Sequence, residues 1–476
     1  MKVAQSQYLQ QVKPRLKALL EELLKEYTYV SILATDSKEK QYSKNKVSIS
    51  IGQNPMFNGF GAVVKVYDGK GYGEYSFNEM DEATLAGVVT TIRENLIPLS
   101  GQIPDGLVPS DYPCVEDATE QFCESTEYEL HPADLGNEKI LATLEDLFEK
   151  GMKYDERILD CSVRYNYREY SNLFLSPNKE MEQNILYSSG FVYIMTAKGE
   201  EIKDSMEGFS GLCGAELLEK IEQGIAKAAN TALDLLDSVP MVPGEYDCIC
   251  TPEVTGMIVH EAFGHGVEMD MFVKKRALAE QYIGEYVASP LVTMHDGGAA
   301  AKQTATYFFD DEGMKAKDTV VIEKGILKRG ISDSQTAMHL HTEPTGNGRR
   351  ESFERKAYTR MTNTFFEAGT DKLEDMIASI SYGFLLENAS SGMEDPKNWG
   401  IQCMVSIARE IKDGKLTGKI CSPIVLTGYV PDLLKSISMV SDTVELSGLG
   451  FCGKGYKEWV KVSDGGPYIK ARIRLG

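Results

Sequence analysis

Two of the chain's six histidines flank a glutamate inside the apolar segment Met257-Ile-Val-His-Glu-Ala-Phe-Gly-His-Gly-Val267. Two histidines four positions apart on one helical face, with a glutamate beside the first, are typical of a zinc site with a general base. Here His260 and His265 are five positions apart. Five steps of about 100° exceed one turn by roughly 140°, so an ideal α-helix would point the two imidazoles well apart.

The glycines around the second histidine offer a way to correct this geometry. Gly264 precedes His265 and Gly266 follows it. Either could permit a π-bulge or a helix end that swings His265 back toward His260. We therefore expect a locally distorted helix, in which the two histidines are metal ligands and Glu261 is the general base.

A third ligand is needed to hold a metal tightly, and the nine cysteines contain no C-x-x-C pair. Cys248 and Cys250 alternate within an apolar run, which favours the buried face of a strand. Cys452 lies in the glycine-rich segment 448–455, whose backbone can approach a ligand closely, and Lys454 would favour its thiolate. Cys452 is therefore the best candidate that the residues themselves indicate.

Several segments resemble the TldD branch of the TldD/PmbA family of zinc metallopeptidases, which were once described as modulators of DNA gyrase. His260-Glu-Ala-Phe-Gly-His-Gly-Val-Glu-Met-Asp270 is similar to the H-E-x-x-x-H segment of that branch, and Phe451-Cys-Gly-Lys454 to its late cysteine motif. Segments 345–352 and 360–364 also resemble the family. The ordered similarity covers nearly the whole C-terminal half.

The resemblance implies a ligand set and an assembly. It implies that His260, His265 and Cys452 bind Zn²⁺ and that Glu261 is the catalytic base. It further implies a cavity enclosed by a dimer, formed with a second copy or with a related, catalytically inactive subunit.

The expected function is zinc-dependent hydrolysis of peptide bonds in unfolded or extended peptides and small proteins, with the zinc-bound water activated by Glu261. We expect the substrate to dock as an added strand beside the site. The alternative is a non-catalytic assembly subunit whose metal is structural, closed by a fourth ligand such as Glu268, Asp270 or His295. Glu261 argues against that alternative, because a structural site needs no base there.

Composition excludes some partners and predicts a compartment. With 71 acidic and 50 basic residues the formal charge is −21, which argues against direct nucleic-acid binding. Nine cysteines without framework spacing favour a reducing environment. The segment Met1–Tyr8 lacks the apolar core of an export signal, and no run reaches membrane-spanning length. We therefore expect a cytoplasmic protein with no membrane contact.

The pattern predicts an α+β fold in two domains. Residues 1–238 are expected to form an N-terminal α/β domain with antiparallel strands and long helices, with subdomains 1–110 and 111–238. Residues 243–476 are expected to form a β-rich antiparallel domain that carries the metal-site helix. Helices are predicted at 5–26, 81–95 and 138–151, and a long helix is marked from Leu217 to about residue 237. Strands are predicted within 28–78, 158–197 and 246–250, with a loop at 97–136 and hairpin turns at 323–325 and 412–415.

Two arginines follow the turn at residues 344–348. Arg349 and Arg350 could clamp a substrate carboxylate or pair with structural acids. We favour the structural role.

Overall fold

The computed structural model describes residues 1–95, 112–455 and 457–476 and confirms the α+β class. The helices and strands before residue 240 are α1 (Gln7–Leu23), β1 (Tyr29–Lys44), β2 (Ile49–Gly52), β3 (Gly59–Tyr67), β4 (Tyr72–Phe77), α2 (Glu82–Asn95), β5 (Glu120–Ser125), α3 (Pro132–Leu135), α4 (Asn137–Met152), β6 (Ile158–Leu175), β7 (Lys179–Lys198), β8 (Glu201–Gly211) and α5 (Leu217–Leu235).

These strands form one twisted sheet in the order β4-β3-β1-β6-β7-β5, with β2 added to β1 and β8 added to β7. All pairs are antiparallel except β5 with β7. Alternate side chains point to opposite faces of a strand. Ile32, Val64 and Leu173 therefore face α1 and α2, whereas their neighbours Leu33 and Val63 face the opposite side.

That opposite side of the sheet is covered by the C-terminal half of the chain. Leu33, Val63 and Phe174 pack there against Phe309, and Tyr187 of β7 packs against Tyr307. The N-terminal sheet is thus a layer between its own helices and a loop that belongs to the part with the histidines.

The C-terminal half consists mainly of short strands. Its elements are β9 (Gly244–Cys250), α6 (Pro252–Met257), a π-helix (Ile258–Gly264), a 3₁₀ turn (His265–Val267), α7 (Asp270–Val273), β10 (Met294–Gly297), β11 (Thr319–Glu323), β12 (Ile326–Leu327), α8 (Ser334–His339), β13 (Gly348–Arg349), β14 (Tyr358–Thr359), β15 (Asn363–Phe366), α9 (Leu373–Ala378), β16 (Tyr382–Asp395), β17 (Gly400–Lys412), β18 (Lys415–Cys421), β19 (Ile424–Tyr429), α10 (Val430–Lys435), β20 (Met439–Val440), β21 (Glu445–Ser447), β22 (Phe451–Lys454), β23 (Lys457–Lys461), β24 (Ser463–Gly466) and β25 (Ile469–Leu475).

Five of these strands close into a ring. The order is β16-β9-β25-β19-β17, and β17 pairs again with β16. A second sheet runs β12-β11-β10-β15-β24-β21, and β22 and β23 form a separate hairpin. Val254, Ile258 and Phe263 of the helical segment share one buried core with residues of the ring and the second sheet. That segment is therefore held on both sides by β-structure.

Charged side chains fix the two halves against each other. Lys65 of β3 donates to Glu312 at 2.8 Å, and Arg350 forms a two-pronged contact with Glu74 of β4 at 2.6 and 2.9 Å. Lys179 also donates to the carbonyl of Gly313. Arg350 therefore has the structural role that its sequence position favoured.

Most predicted elements are found, with ends that differ by a few residues. The expected loop at 97–136 contains β5 and α3, and its residues 97–111 lie outside the described chain. β5 is short and half-exposed, so it carries little hydrophobic periodicity. The division into domains 1–238 and 243–476 remains a proposal. Among the described helices, none is both long and apolar enough to cross a bilayer.

α6 approaches β24 closely at Gly256. Substitution of glycine by alanine should therefore have opposite effects on stability at Gly256 and at Gly87. A methyl group at Gly256 would lie 2.6 Å from the backbone nitrogen of Gly465, whereas Gly87 of α2 has free space around it. Gly87→Ala should stabilise the protein by roughly 0.5–1 kcal/mol, because alanine favours the helix. Gly256→Ala should destabilise it by about 1–3 kcal/mol through overpacking. Denaturant unfolding of both variants measures this, and equal effects would contradict the packing described.

Candidate metal centre

The distortion expected around His265 is a π-helix. Residues Ile258–Gly264 form it, directly after α6, and the amide of His265 donates to the carbonyl of His260. This bond spans five residues, whereas an α-helical bond spans four. Residue 265 therefore takes the place above His260 that the fourth residue takes in an α-helix. The two imidazole centroids lie 5.2 Å apart, with the rings nearly perpendicular.

The flanking glycines supply room rather than unusual torsion angles. Gly264 has φ −58° and ψ −50°, which any residue adopts. A methyl group at Gly264 would lie 2.2 Å from the sulfur of Met361, and one at Gly266 would lie 2.6 Å from Oε1 of Glu394. The prediction of a distortion is therefore confirmed, but the glycines serve close packing.

The structure brings the three predicted ligands together. Ligand atoms of His260, His265 and Cys452 all lie within 4.8 Å of one another. The Cys452 Sγ is 3.4 Å from Nε2 of His265. Ligand atoms around a tetrahedral zinc are separated by about 3.4–3.6 Å. β22 presents Cys452 from one side, and the π-helix and the 3₁₀ turn that follows it present His260 and His265 from the other.

The chemistry of these donors fits a metal ion. His260 and Cys452 are buried, and Nδ1 of His260 has no hydrogen-bond partner among the described residues. Burial opposes ionisation of the Cys452 thiol, but the charge of His260 and hydrogen bonds to both histidines lower its pKa to about 5. A thiolate beside two imidazoles is a soft donor set of the kind that zinc prefers.

Glu261 lies at the edge of this cluster. Its Oε2 is 3.9 Å from Nε2 of His265, and its side chain is 21% exposed. A methyl group at Gly392 of β16 would lie 2.5 Å from Cγ of Glu261. Burial raises the pKa of Glu261, while the two imidazoles act in the opposite direction. The carboxylate is therefore next to the ligands and still open to solvent on one side.

Glu268 orients His265 from the far side of the ring. Its Oε2 lies 3.3 Å from Nδ1 of His265, which leaves Nε2 facing Cys452. A carboxylate that accepts the second N–H of a ligating histidine fixes the tautomer and the ring orientation. Burial alone would raise the pKa of Glu268, but the Lys454 ammonium holds it well below its usual range. Its position three residues after His265 is a sequence signal for this role.

Two cations, the partly buried Lys454 and the buried Arg360, connect Glu268 to the hairpin that carries Cys452. Lys454 donates to Glu268 at 3.0 Å and to Asp270 at 2.8 Å. Arg360 is fully buried, lies 3.4 Å from Oε1 of Glu268, and donates to the Cys452 carbonyl at 2.7 Å. The roles of Arg360 and Lys454 in holding this hairpin were not expected from the sequence, because the partners lie about a hundred residues or more apart along the chain.

Glu394 is a further carboxyl group near the centre. Neither of its buried oxygens has a hydrogen-bond partner that meets normal geometry within the described chain. Burial raises its pKa well above the usual range, and His265 partly opposes this. The indole nitrogen of Trp399, close to the same Gly266, also lacks a partner in the described structure. Glu394 therefore places a further carboxyl group, with both oxygens buried, in the wall of the centre.

The other candidates lie elsewhere. His295 contacts Asp318 and Glu367, and Glu268 and Asp270 face Lys454 outside the ligand cluster. The buried strand positions expected for Cys248 and Cys250 are confirmed. Arg349 is the last residue of β13, and Arg350 follows it.

The sequence is similar to those of known metalloproteases. Residues 243–474 match the family model described as the PmbA/TldA metallopeptidase C-terminal domain. The chain is 28% identical to Metalloprotease MJ0996 of Methanocaldococcus jannaschii over 87% of this chain and 89% of that protein. It is 30% identical to a metalloprotease of Methanothermobacter thermautotrophicus over 66% of this chain and 69% of that protein. A metalloprotease TldD homolog of Buchnera aphidicola is 34% identical over 53% and 52% of the two chains.

Two solved structures share the fold over almost the whole chain. A Thermotoga maritima protein, which its name links to modulation of a DNA gyrase, aligns with a TM-score of 0.79 at 17% identity and covers 98% of this chain and 100% of its own. TldE from Thermococcus kodakarensis aligns with a TM-score of 0.75 at 18% identity and covers 96% of this chain and 99% of its own. Together with the sequence matches, these results show that the chain belongs to the PmbA/TldD metallopeptidase family.

Proposed function

We propose that this protein is a zinc-dependent peptidase that hydrolyses peptide bonds in unfolded or extended chains. The observation that carries the proposal is the convergence of His260, His265 and Cys452, with Glu261 beside them. A zinc ion held by these three donors would have an open position, at which it would acidify a water molecule and polarise a peptide carbonyl.

Glu261 is the proposed proton carrier. Its carboxylate lies close enough to the ligand cluster to accept a proton from the attacking water and to return it to the leaving amine. Glu268 keeps the proton of His265 on Nδ1, so that Nε2 is available to the metal. A structural metal in an assembly subunit would need neither the base nor the partial exposure of Glu261.

The surroundings of Glu261 support an extended substrate. β16 pairs with β9 only from Gly383 to Leu386, and β16 then continues along β17 to Asp395. Among the described residues, no strand pairs with the other edge of β16 beyond Leu386. Gly392, within this stretch, contacts Glu261. We infer that a peptide adds to this free edge and so passes Glu261, a mode that requires an unfolded backbone.

We also infer an assembly of two subunits, either two copies of this chain or this chain with a related inactive subunit. The similarity to TldE in fold supports the second arrangement, because it shows that a chain of that name has the same architecture. The excess of acidic residues supports a partner that is a protein rather than a nucleic acid. We further propose a cytoplasmic location, which would keep Cys452 reduced.

Substitution of the proposed base, Glu261, should impair hydrolysis but leave metal binding intact. Glu261→Gln should retain about one zinc per chain and lose about 10²–10⁴-fold in kcat/KM on an unfolded peptide, because the donors remain and only proton transfer is lost. Cys452→Ser should lose both zinc and activity. Metal analysis and peptide hydrolysis measure these effects side by side. Full zinc with unchanged activity in Glu261→Gln would refute the role of the base, and zinc without hydrolysis in the wild type would favour the assembly subunit.

Removal of the carboxylate behind His265 should weaken the metal site without removing a ligand. We expect Glu268→Gln to lower zinc affinity by about 10–100-fold, because the His265 tautomer and the hairpin lose their common anchor. Glu285→Gln is the matched control, since Glu285 is exposed and lies outside the cluster. Competition with a chelator measures the affinity. Equal affinities of the two variants would show that Glu268 does not position His265.

A peptide modification tests strand addition directly. Methylation of the backbone nitrogens that pair with the enzyme should raise KM by about tenfold or more, because each loses a main-chain hydrogen bond while the side chains stay the same. Methylation at successive positions should show an alternating pattern, since neighbouring amides of a strand point to opposite edges. A uniform response along the peptide would contradict docking at the edge of β16.

A further inference from the structure

A cavity of about 90 Å³ lies between the N-terminal sheet and the C-terminal half. Its walls come from β1, β6 and β7, from the loop segments 304–311 and 349–353, and from residues 459–461 of β23. Cys452 and Val460 are opposite each other in the β22–β23 hairpin, and Phe451 and Lys461 form the next pair. Because neighbouring pairs point to opposite faces, Lys461 faces away from the Cys452 thiol. None of the three metal ligands lines this cavity, which is therefore separate from the metal centre.

Lys461 is the most deeply buried cation of this cavity, with 5% of its surface exposed. Its Nζ donates to the carbonyl of Leu449 at 3.0 Å and lies 4.4 Å from the centre of the Phe451 ring. Within the described chain, no carboxylate lies within 4 Å of this ammonium group. Burial and the charge of Arg168 lower the pKa of Lys461 to about 7, although Glu39 opposes them.

Two guanidinium groups line the same cavity. Arg168 donates to the hydroxyl of Ser37 at 2.9 Å, and its guanidinium stacks on Tyr170. Arg349 donates to the carbonyl of Met361 at 2.8 Å. Neither arginine forms an ion pair with a carboxylate of the described residues. The direct hydrogen-bond partners of these three cations are therefore neutral, and the carboxylates of Glu39 and Asp311 act on them only at longer range.

The carboxylates of the wall accept hydrogen bonds from backbone amides. Asp310 accepts from Gly348, Asp311 from Arg350, and Glu351 from Glu458, at 2.8, 2.7 and 3.0 Å. Asp311 also lies near Arg168 and Arg349 and offsets part of their charge.

The fourth cation of the wall, Arg350, forms an ion pair with Glu74, which does not line the cavity. Asn172, which is also buried, has an Oδ1 without a partner in the described structure. The lining therefore combines four cations with three carboxylates, and within the described chain only Arg350 among the cations has a carboxylate as a direct partner. Asn172 adds unused hydrogen-bonding capacity.

A buried cation without a counter-charge is costly, and an anion that meets several of them gains charge-assisted hydrogen bonds. We propose that this cavity binds a small oxyanion, a carboxylate or phosphate group, between Arg168, Arg349 and Lys461. Guanidinium groups suit such planar or tetrahedral oxygens, and the cavity volume admits a group of only a few heavy atoms.

The position of the cavity connects it to both segments that carry the metal ligands. Lys461 lies opposite Phe451, which directly precedes Cys452. Arg349 holds the backbone of Met361, whose sulfur packs against Gly264 beside His265. A bound anion would thus contact the supports of the metal centre from behind.

Titration calorimetry of the zinc-loaded protein tests the proposal without measuring hydrolysis. One arm uses inorganic phosphate, and a second compares acetate with its uncharged amide, acetamide. We expect at least one of the two anions to bind with a Kd of about 1 mM or tighter, and the amide to bind no better than background. Binding in the phosphate arm alone would identify free phosphate, and binding in the carboxylate arm alone would identify a carboxylate ligand.

Variants locate the bound ion. Lys461→Met should weaken binding by at least about tenfold, whereas Lys461→Arg should retain most of the affinity. Lys139→Met, which removes one exposed charge from α4, is the matched control and should change nothing. Arg168→Met provides a second test if Lys461→Met fails to fold. The proposal is wrong if neither anion binds the wild type, or if binding survives both Lys461→Met and Arg168→Met, which would place the ion elsewhere, such as at the metal.

Discussion

The buried carboxylate of Glu268 is the contact on which the metal centre depends. It accepts from His265 on one side and faces Lys454 and Arg360 on the other. Removal of one member of such a buried ionic group costs about 3–5 kcal/mol, since the remaining charges lose their compensation. One side chain therefore sets the orientation of the ligand His265, directly after the π-helix, and neutralises the two cations that hold the hairpin with Cys452. The late part of the chain must dock before the centre is complete.

The N-terminal sheet supports this arrangement from outside. Glu312 accepts from Lys65 of β3 and also from the backbone amide of Ser334. The same sheet face packs against Tyr307 and Phe309, which belong to a loop of the C-terminal half. The sheet thus orders long irregular segments that have little regular structure of their own. This explains why a small group of ligands requires such a large framework.

The sequence predicts those parts of the structure in which the deciding contacts are local. Helical spacing of Leu9, Leu16 and Leu23 predicts α1, and the five-residue interval between the histidines predicts a distortion that is found as a π-helix. Closure of the ring by β16 and β17 and the contact of Arg360 with Glu268 depend on residues far apart in the chain. Periodicity does not encode such pairings. Cys452 was the best candidate by local chemistry, and the family resemblance strengthened it.

The five-residue interval between His260 and His265 requires the π-helix. An inserted residue in an ordinary α-helix would rotate His265 away from His260, and a π-turn absorbs that residue by shifting the hydrogen bond from the fourth to the fifth neighbour. Such turns are rare because their packing is poor, so other contacts must stabilise this one. Phe263, fully buried and 6.1 Å from the ring of Trp399, and Met361 against Gly264 provide these contacts. The core that encloses the helix therefore selects the geometry in which two histidines can face one metal.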